Sequence, residues 1–327
     1  MKRIYAIALS LVLLISACGD SSPEGGPEQK DKVTYLTAFG AVGRDAFAWV
    51  AQEKGYFADA GIDVTIQLGA ATGENLKVLA AGKAQFGHLD LTGTWITEGK
   101  GQNLDMRAFA AVHQQTLVSI ITLEGSGITK PEDLEGRRLG AATGSVNQLL
   151  FPAYAKLAGI DASKVEWVNA APPQLPALLA SGRVDALSTF LIGARGIEKA
   201  AGGRKTVVLP YSEYLPDLFG NGLIATTAMT EGNPDLTKRF RDAALKGLQY
   251  TLDHPDEAAQ ILKKAQPAAD VTAAVGEITL MAPYVKPSGV IDRDRVTKEL
   301  AILEGEGLIK PGLTPDAVVD FSLVPAG

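Results

Sequence analysis

The chain has 327 residues, 46% hydrophobic and 21% charged, the composition of a globular protein with about two domains of ordinary size. Its 31 basic and 37 acidic residues leave a net charge of -6, which argues against nucleic acid as the partner. A single cysteine excludes a disulfide framework and any Cys-based zinc or iron–sulfur centre, and His88, His113 and His254 are too scattered to form a ligand cluster.

The N-terminus reads as an address. Lys2 and Arg3 precede an apolar run from Ile4 to Ile15, too short for a permanent membrane span, which needs about 20 residues. The run ends in Ser16-Ala17-Cys18, small residues in front of the only cysteine, as at a signal-peptide cut. With the cysteine at that cut the segment resembles the lipobox of bacterial lipoproteins, in which the thiol is acylated. The alternative is an ordinary signal peptide with an incidental cysteine. Residues 1–17 are therefore expected to be a lipoprotein signal peptide and Cys18 the lipidation site. Residues 18–32, rich in Gly, Pro, Ser and charge, are expected to form a flexible tether. The folded part would then sit outside the cell, lipid-anchored to its membrane.

Val33–Ala38 predicts a strand, Asp45–Ala60 a helix closed by Gly61, and Ile62–Leu68 a second strand. A helix over Gly73–Ala81 and a strand around Gln85–Leu89 follow. The second half repeats this order, with strand Leu139–Ala142, helix Gly144–Gly159 and strand Val165–Asn169. Alternation of this kind predicts mostly parallel sheets covered by helices. Leu79-Ala80-Ala81-Gly82-Lys83-Ala84-Gln85 also matches Leu179-Ala180-Ser181-Gly182-Arg183-Val184-Asp185, which suggests two lobes built alike. The C-terminal third reads as helices. One starts at Asn233-Pro234 with Asn233 as its cap, another starts after His254-Pro255, and shorter ones occupy Asp294–Glu304 and Pro315–Phe321.

No Gly-x-Ser-x-Gly elbow, His-Glu-x-x-His motif or phosphate-cradling loop is present, so the candidates are binding residues and no catalytic residue, metal ligand or cofactor is expected. Phe39-Gly40-Ala41-Val42-Gly43-Arg44-Asp45 is a loop between a strand and a helix. It offers the Phe39 ring, the flexible Gly43, and Arg44, which can fork onto a carboxylate, sulfonate or phosphate or else pair with Asp45. Thr143, Ser145 and Asn147 form the matching loop of the second lobe, where hydroxyls either meet a ligand or cap their own helix. Asp90 and Thr92 end one strand and Thr189-Phe190 another, so Asp90 and Phe190 would face one cleft. Asp90 can take an amine or ring N–H, or cap the next helix. Gln114 and Asn221 complete the candidate set. His88 is expected to be a packed or surface histidine and not a ligand contact, and Trp95 and Phe151 to be core.

In order along the chain these pieces resemble the substrate-binding proteins of ABC importers, specifically the nitrate/sulfonate/taurine and thiamine-precursor (pyrimidine) binding family. The resemblance is carried by Ala51-Gln52-Glu53-Lys54-Gly55-Tyr56-Phe57 and Ala60-Gly61-Ile62-Asp63-Val64, with echoes at Leu79–Gly82, Gly127–Gly136, Ala180–Ala186 and Asn233-Pro234. It implies an α/β, two-lobed periplasmic-binding-protein fold of type II, with mixed sheets flanked by helices and a ligand cleft between the lobes. Lobe 1 would take residues 33–112, lobe 2 residues 113–225, and residues 226–327 would return to lobe 1, with crossings near Ala110–Ile121 and Gly222–Thr227. The implied function is capture of a small solute by a monomer and its delivery to a separate permease and ATPase. Pyrimidine-precursor binders carry Trp-x-Pro-Asn-x-x-His in the first loop, where this chain has Phe39 to Asp45. That departure leans towards an alkanesulfonate, taurine-like or nitrate-like anion, with Arg44 as counter-charge and a pyrimidine as the alternative. A solute-sensing lipoprotein that signals to a membrane receptor is the reading from another class.

Overall fold

The computed structural model describes residues 30–102, 104–143 and 145–326; the expected signal peptide and Cys18 lie outside the described residues. Among the described residues ten strands form two five-stranded sheets. The first holds β1 (Asp31–Leu36), β2 (Ile62–Gln67), β3 (Phe86–Asp90), β4 (Met106–Ala111) and β10 (Asn221–Thr226) in the order β2-β1-β3-β10-β4. The second holds β5 (Val118–Leu123), β6 (Arg138–Ala141), β7 (Glu166–Asn169), β8 (Ala186–Phe190) and β9 (Thr206–Pro210) in the order β7-β6-β8-β5-β9. Both sheets follow one plan. Three parallel strands lie together, and an antiparallel strand separates the third from the edge: β10 between β3 and β4, β5 between β8 and β9.

The chain passes between the sheets at residues 112–117 and 211–220. The first passage falls inside the expected Ala110–Ile121. The second lies earlier than Gly222–Thr227, because all of that segment but Thr227 lies in β10, with Asn221 paired to Asp90 and Gly222 to Leu89 and Ala111. Residues 221–225 thus belong to the first sheet, not to lobe 2. Asp31 and Lys32, expected in the tether, instead pair with Ile62 and Asp63 in the first sheet.

The matching heptapeptides do the same work in each lobe. The helix Thr72–Ala80 ends with Gly82 N–H bonded to Leu79 O and Lys83 N–H to Val78 O. The helix Leu175–Ala180 ends with Gly182 N–H on Leu179 O and Arg183 N–H on Leu178 O. Both glycines take positive φ, 67° and 71°, the left-handed closure that an L side chain resists. Beyond the turn, Gln85 Oε1 accepts the Thr34 N–H at 2.8 Å, and Asp185 Oδ2 accepts the Arg138 N–H at 2.9 Å. One polar residue per lobe therefore sets the register of the central parallel pair.

Two expected helices are each split. Gly55, at φ 78°, divides Asp45–Ala60 into Ala46–Glu53 and Tyr56–Asp59. Gly144–Gly159 becomes Val146–Leu149 and Phe151–Leu157, where Pro152 in the first turn brings no N–H. Asn233 stands at the start of Pro234–Asp253 without a side-chain capping bond; its amide contacts Met229 Sδ instead.

The signature Ala51–Phe57 fastens the C-terminal helices to the first sheet. Phe57 stacks on Phe240 at 5.3 Å, and Phe240 stacks on Phe86 at 4.1 Å. Gln52 Nε2 donates to Val64 O at 2.9 Å, and Lys54 pairs with Glu257 at 2.6 Å. Gly247 lets Pro234–Asp253 lie directly on Ala46–Glu53, since a Cβ there would stand 2.5 Å from Phe47 O and 2.8 Å from Ala51 Cβ. Gly247→Ala is expected to destabilise the fold by about 1–3 kcal/mol through overpacking. Urea unfolding checks this; an unchanged midpoint would show that the helices part without strain.

Candidate functional site

The carboxyl ends of β1, β3, β6 and β8 converge on the space between the sheets, where α/β folds hold ligands. A cavity of about 510 Å³ lies there. The first lobe lines it with Phe39, Arg44 and Asp90, and the second with Thr143, Ser145, Asn147, Ser188 and Phe190; Asn221 and Glu277 also face it.

The loop after β1 is pinned from several sides. Thr37 Oγ1 donates to Gly40 O at 2.7 Å and accepts the Gly69 N–H at 2.9 Å. Asn75 donates to the carbonyls of Thr37 and Ala38 and accepts from Ala70. Asp45 Oδ1 accepts the Ala38 N–H at 2.9 Å, closing the loop upon itself. This frame places the Arg44 guanidinium 5.2 Å from the Phe190 ring centre and 6.0 Å from that of Phe39, so the cation spans the gap between lobes. Its Nε is buried without a hydrogen-bond partner and lies 3.9 Å from Asp45 Oδ2. Pairing with Asp45 and exposure to the cavity therefore coexist.

Asp90 likewise does both things expected of it. Oδ1 caps the helix Leu91–Thr97 by accepting the Gly93 N–H at 2.7 Å, and Oδ2 is buried without a partner. Burial pushes its pKa up to about 6, while the Gly93 N–H and the Arg44 charge pull it down. From the second lobe, Asn147 Oδ1 and Ser145 Oγ are also buried without partners. Ser145 occupies the position before Val146–Leu149 but makes no capping bond.

Four expected site residues do not reach the cavity lining. Asp45 is fully buried and bound to His88 Nδ1 at 2.8 Å. Thr92 faces away, with its hydroxyl 2.9 Å from Phe219 O and 2.5 Å from Glu299 Oε1. Gln114 donates to the carbonyls of Pro287 and Val290, beside the first crossing. Gly43 is a packing glycine, since a Cβ there would meet Ala274 O at 2.3 Å. Chain order places all four near the cleft, but the local turns direct Gly43, Asp45 and Thr92 inward and the half-buried Gln114 towards residues 287–290. Trp95 and Phe151 are buried, as expected, and of the two readings for His88 the packed one holds.

Glu277 went unrecognised in the sequence. It sits on the helix Val271–Met281, which no capping box or clear period announces. Its Oε2 accepts the Arg44 N–H at 3.2 Å. Enclosure pushes its carboxyl pKa up, against the pull of Arg44. The same helix touches the second lobe, where Gly276 approaches the Arg195 stem and Asp270 pairs with Lys199 at 2.7 Å. Glu277 thus joins the first loop to the element that bridges the cleft.

Two sheets of one plan, two crossings and a cavity between them define the fold of the periplasmic binding proteins. The periplasmic nitrate-binding protein NrtA of Synechocystis PCC 6803 superposes with a TM-score of 0.73 at 13% identity over 90% of this chain and 87% of that one. The alkanesulfonate-binding protein SsuA of Xanthomonas axonopodis pv. citri, bound to MOPS, gives 0.69 at 14% identity over 89% and 98%. Residues 45–258 match the family described as NMT1/THI5 like, and the chain belongs to that family. Among its relatives, the formylaminopyrimidine-binding protein of Halalkalibacterium halodurans is 26% identical over 83% of this chain and 81% of its own length. A 4-amino-5-hydroxymethyl-2-methylpyrimidine phosphate synthase of Legionella pneumophila is 24% identical over 78% and 82%.

Proposed function

We propose that this chain is the extracytoplasmic solute-binding component of an ABC importer. It captures a small organic solute as the lobes close and delivers it to a separate permease driven by a separate ATPase. The observation that carries this reading is the cavity between the lobes, with buried polar atoms that lack partners on both walls: Asp90 Oδ2 on one side, Ser145 Oγ and Asn147 Oδ1 on the other. A solute that satisfies both walls favours the closed state by that difference in contacts. Acylation of Cys18 would hold the monomer at the membrane; mass spectrometry of the mature N-terminus tests that anchor.

For the solute, Arg44 between two phenyl rings suits the anionic end of an alkanesulfonate, taurine-like or nitrate-like molecule. A second reading, an aminated pyrimidine, is favoured by the acceptors Asp90 Oδ2 and Asn147 Oδ1, which call for N–H donors, and by the flanking Phe39 and Phe190 rings. A thermal-shift screen of the full chain against sulfonates, taurine, nitrate and aminopyrimidines decides between them. A ligand at 100 times its Kd adds about 2.7 kcal/mol of stability. An anion's shift is expected to vanish in Arg44→Ala, and a pyrimidine's in Asp90→Asn. No shift from any compound in a folded protein would count against both solute classes.

A further inference from the structure

One helix, Arg293–Gly305, holds both passages between the lobes. Arg295 Nε donates to Asp217 O at 3.0 Å and Nη2 to Leu218 O at 3.3 Å, both in the second passage. The same guanidinium reaches Gln114 in the first passage, through its carbonyl and, at 3.3 Å, its Oε1. It also lies 3.9 Å from the Phe219 ring centre. One turn on, Glu299 is completely buried. Its Oε2 accepts the Phe219 N–H at 2.9 Å, and its Oε1 stands 2.5 Å from Thr92 Oγ1. Thr92 Oγ1 is in turn 2.9 Å from Phe219 O.

The Thr92 hydroxyl has one proton and faces two acceptors, the Phe219 carbonyl and the Glu299 carboxyl. A carboxylate at Glu299 would leave one of these contacts without a hydrogen. With a proton on Oε1 every contact has a donor. Phe219 N–H donates to Glu299 Oε2, Glu299 O–H to Thr92 Oγ1, and Thr92 O–H to Phe219 O. The bonds close a ring through both backbone groups of one residue in the passage. We propose that Glu299 is a proton-held latch on the second passage: neutral, it closes this ring and fixes Phe219; ionised, it opens the ring and frees the segment about which the lobes move. This rests on the two-lobed reading but on no particular solute.

The surroundings agree. Burial is the main cause that pushes the Glu299 pKa up, to about 8, and the Asp90 charge adds to it; the bonds from Thr92 and Phe219 and the Arg295 charge oppose it. Asp217 and Asp292 act on Arg295. Trp95, on the same short helix as Thr92, packs edge-on against Phe219 with ring centres 6.0 Å apart, which makes it a reporter of the ring.

The test uses the full chain without solute, so its failure is separate from failure of the transport reading. With Trp49 and Trp167 replaced by Phe, Trp95 emission is expected to titrate as one proton with a midpoint near 8. Glu299→Gln, whose amide can donate to Thr92 and accept from Phe219 as the neutral acid does, is expected to abolish that titration. At pH 9 the Phe219 amide should exchange about tenfold more slowly in Glu299→Gln than in the parent, the equivalent of one lost hydrogen bond. A titration of unchanged midpoint in the Gln protein, or none in the parent between pH 7 and 9, overturns the latch. Should the Gln protein fail to fold, infrared spectra of the parent decide: a carboxylic-acid carbonyl band must disappear near pH 8, and its absence overturns the proposal equally.

Discussion

Asp45→Ala is expected to abolish solute binding and to destabilise the fold by about 3–5 kcal/mol, the cost of removing one partner from a buried ionic and hydrogen-bonded group. Asp45 has no exposed surface. Its carboxylate accepts the Ala38 N–H at 2.9 Å, contacts His88 Nδ1 at 2.8 Å, and lies 3.9 Å from Arg44 Nε. A carboxylate only accepts, so the His88 proton is assigned to Nδ1. In the alanine protein the half-buried Ala38 N–H and the buried His88 N–H lose their acceptor and the Arg44 cation loses its neighbour. The loop after β1 then has no reason to return to Asp45, and Phe39 and Arg44 lose the frame that presents them to the cleft. Asp45→Asn separates the causes. Its amide oxygen still receives the Ala38 N–H, so most of the loop should persist, while the charge facing Arg44 is gone. Guanidinium unfolding and the thermal-shift screen measure the two effects. An alanine protein that unfolds near the parental midpoint and still binds would show that the loop does not depend on Asp45.

Why Asp45 was expected to touch ligand, and does not, is a matter of direction. The sequence places Phe39 to Asp45 between a strand and a helix, and that much fixes the loop's location at the mouth of the sheet. It does not say which side chains turn outward. Arg44 and Asp45 are adjacent, yet one faces the cavity and the other packs under it. The same holds for Asp90 and Thr92, where the short helix Leu91–Thr97 turns Thr92 to the rear. By contrast, the halves built on Leu79–Gln85 and Leu179–Asp185 were readable, because a glycine-closed helix followed by a strand is a local signal.

What stayed hidden depends on contacts remote in sequence. Strand β10 inserts between β3 and β4 after a separation of more than a hundred residues, and nothing near Asn221 announces its neighbours. That is why the second passage was expected too late. Glu277 was hidden for a related reason. In Val-Thr-Ala-Ala-Val-Gly-Glu-Ile-Thr-Leu-Met apolar residues lie on most sides of the helix, which bears on both lobes. A single carboxyl in such a helix reads as a surface position until the fold sets it against Arg44. Glu299 follows the same pattern, being one acidic residue among several on a helix that otherwise looks solvated.

The buried carboxyls give the protein an unusual dependence of stability on pH, and its clearest window lies between pH 6.5 and 9. A carboxyl raised from 4.5 to about 8 in the folded state, as at Glu299, binds its proton more tightly there than in the unfolded chain. Its stabilising share is complete below the unfolded value and is lost as pH rises through the folded one, about 5 kcal/mol across the whole interval. Asp90, raised from 3.8 to about 6, acts in the same sense but is exhausted sooner. Other groups oppose the trend only at lower pH. His113 is held well below 6.5, chiefly by burial, so the unfolded chain takes up that proton preferentially only beneath 6.5. Surface carboxyls such as Glu135, Glu257 and Asp270, lowered chiefly by their lysine partners, cost stability only as pH falls below about 4.5. The buried tyrosines Tyr35 and Tyr211, raised by burial, do not titrate until beyond 10. Glu98 and Glu277, raised by burial, act in the same sense; the share of Glu299 itself between 6.5 and 8 is about 2 kcal/mol of stability, a fall of several degrees in Tm. Glu299→Gln is expected to flatten that limb and leave the acid side unchanged. Calorimetry of both proteins from pH 6.5 to 9 measures it; parallel curves would mean that Glu299 is already ionised in the folded state and that the ring through Phe219 is open.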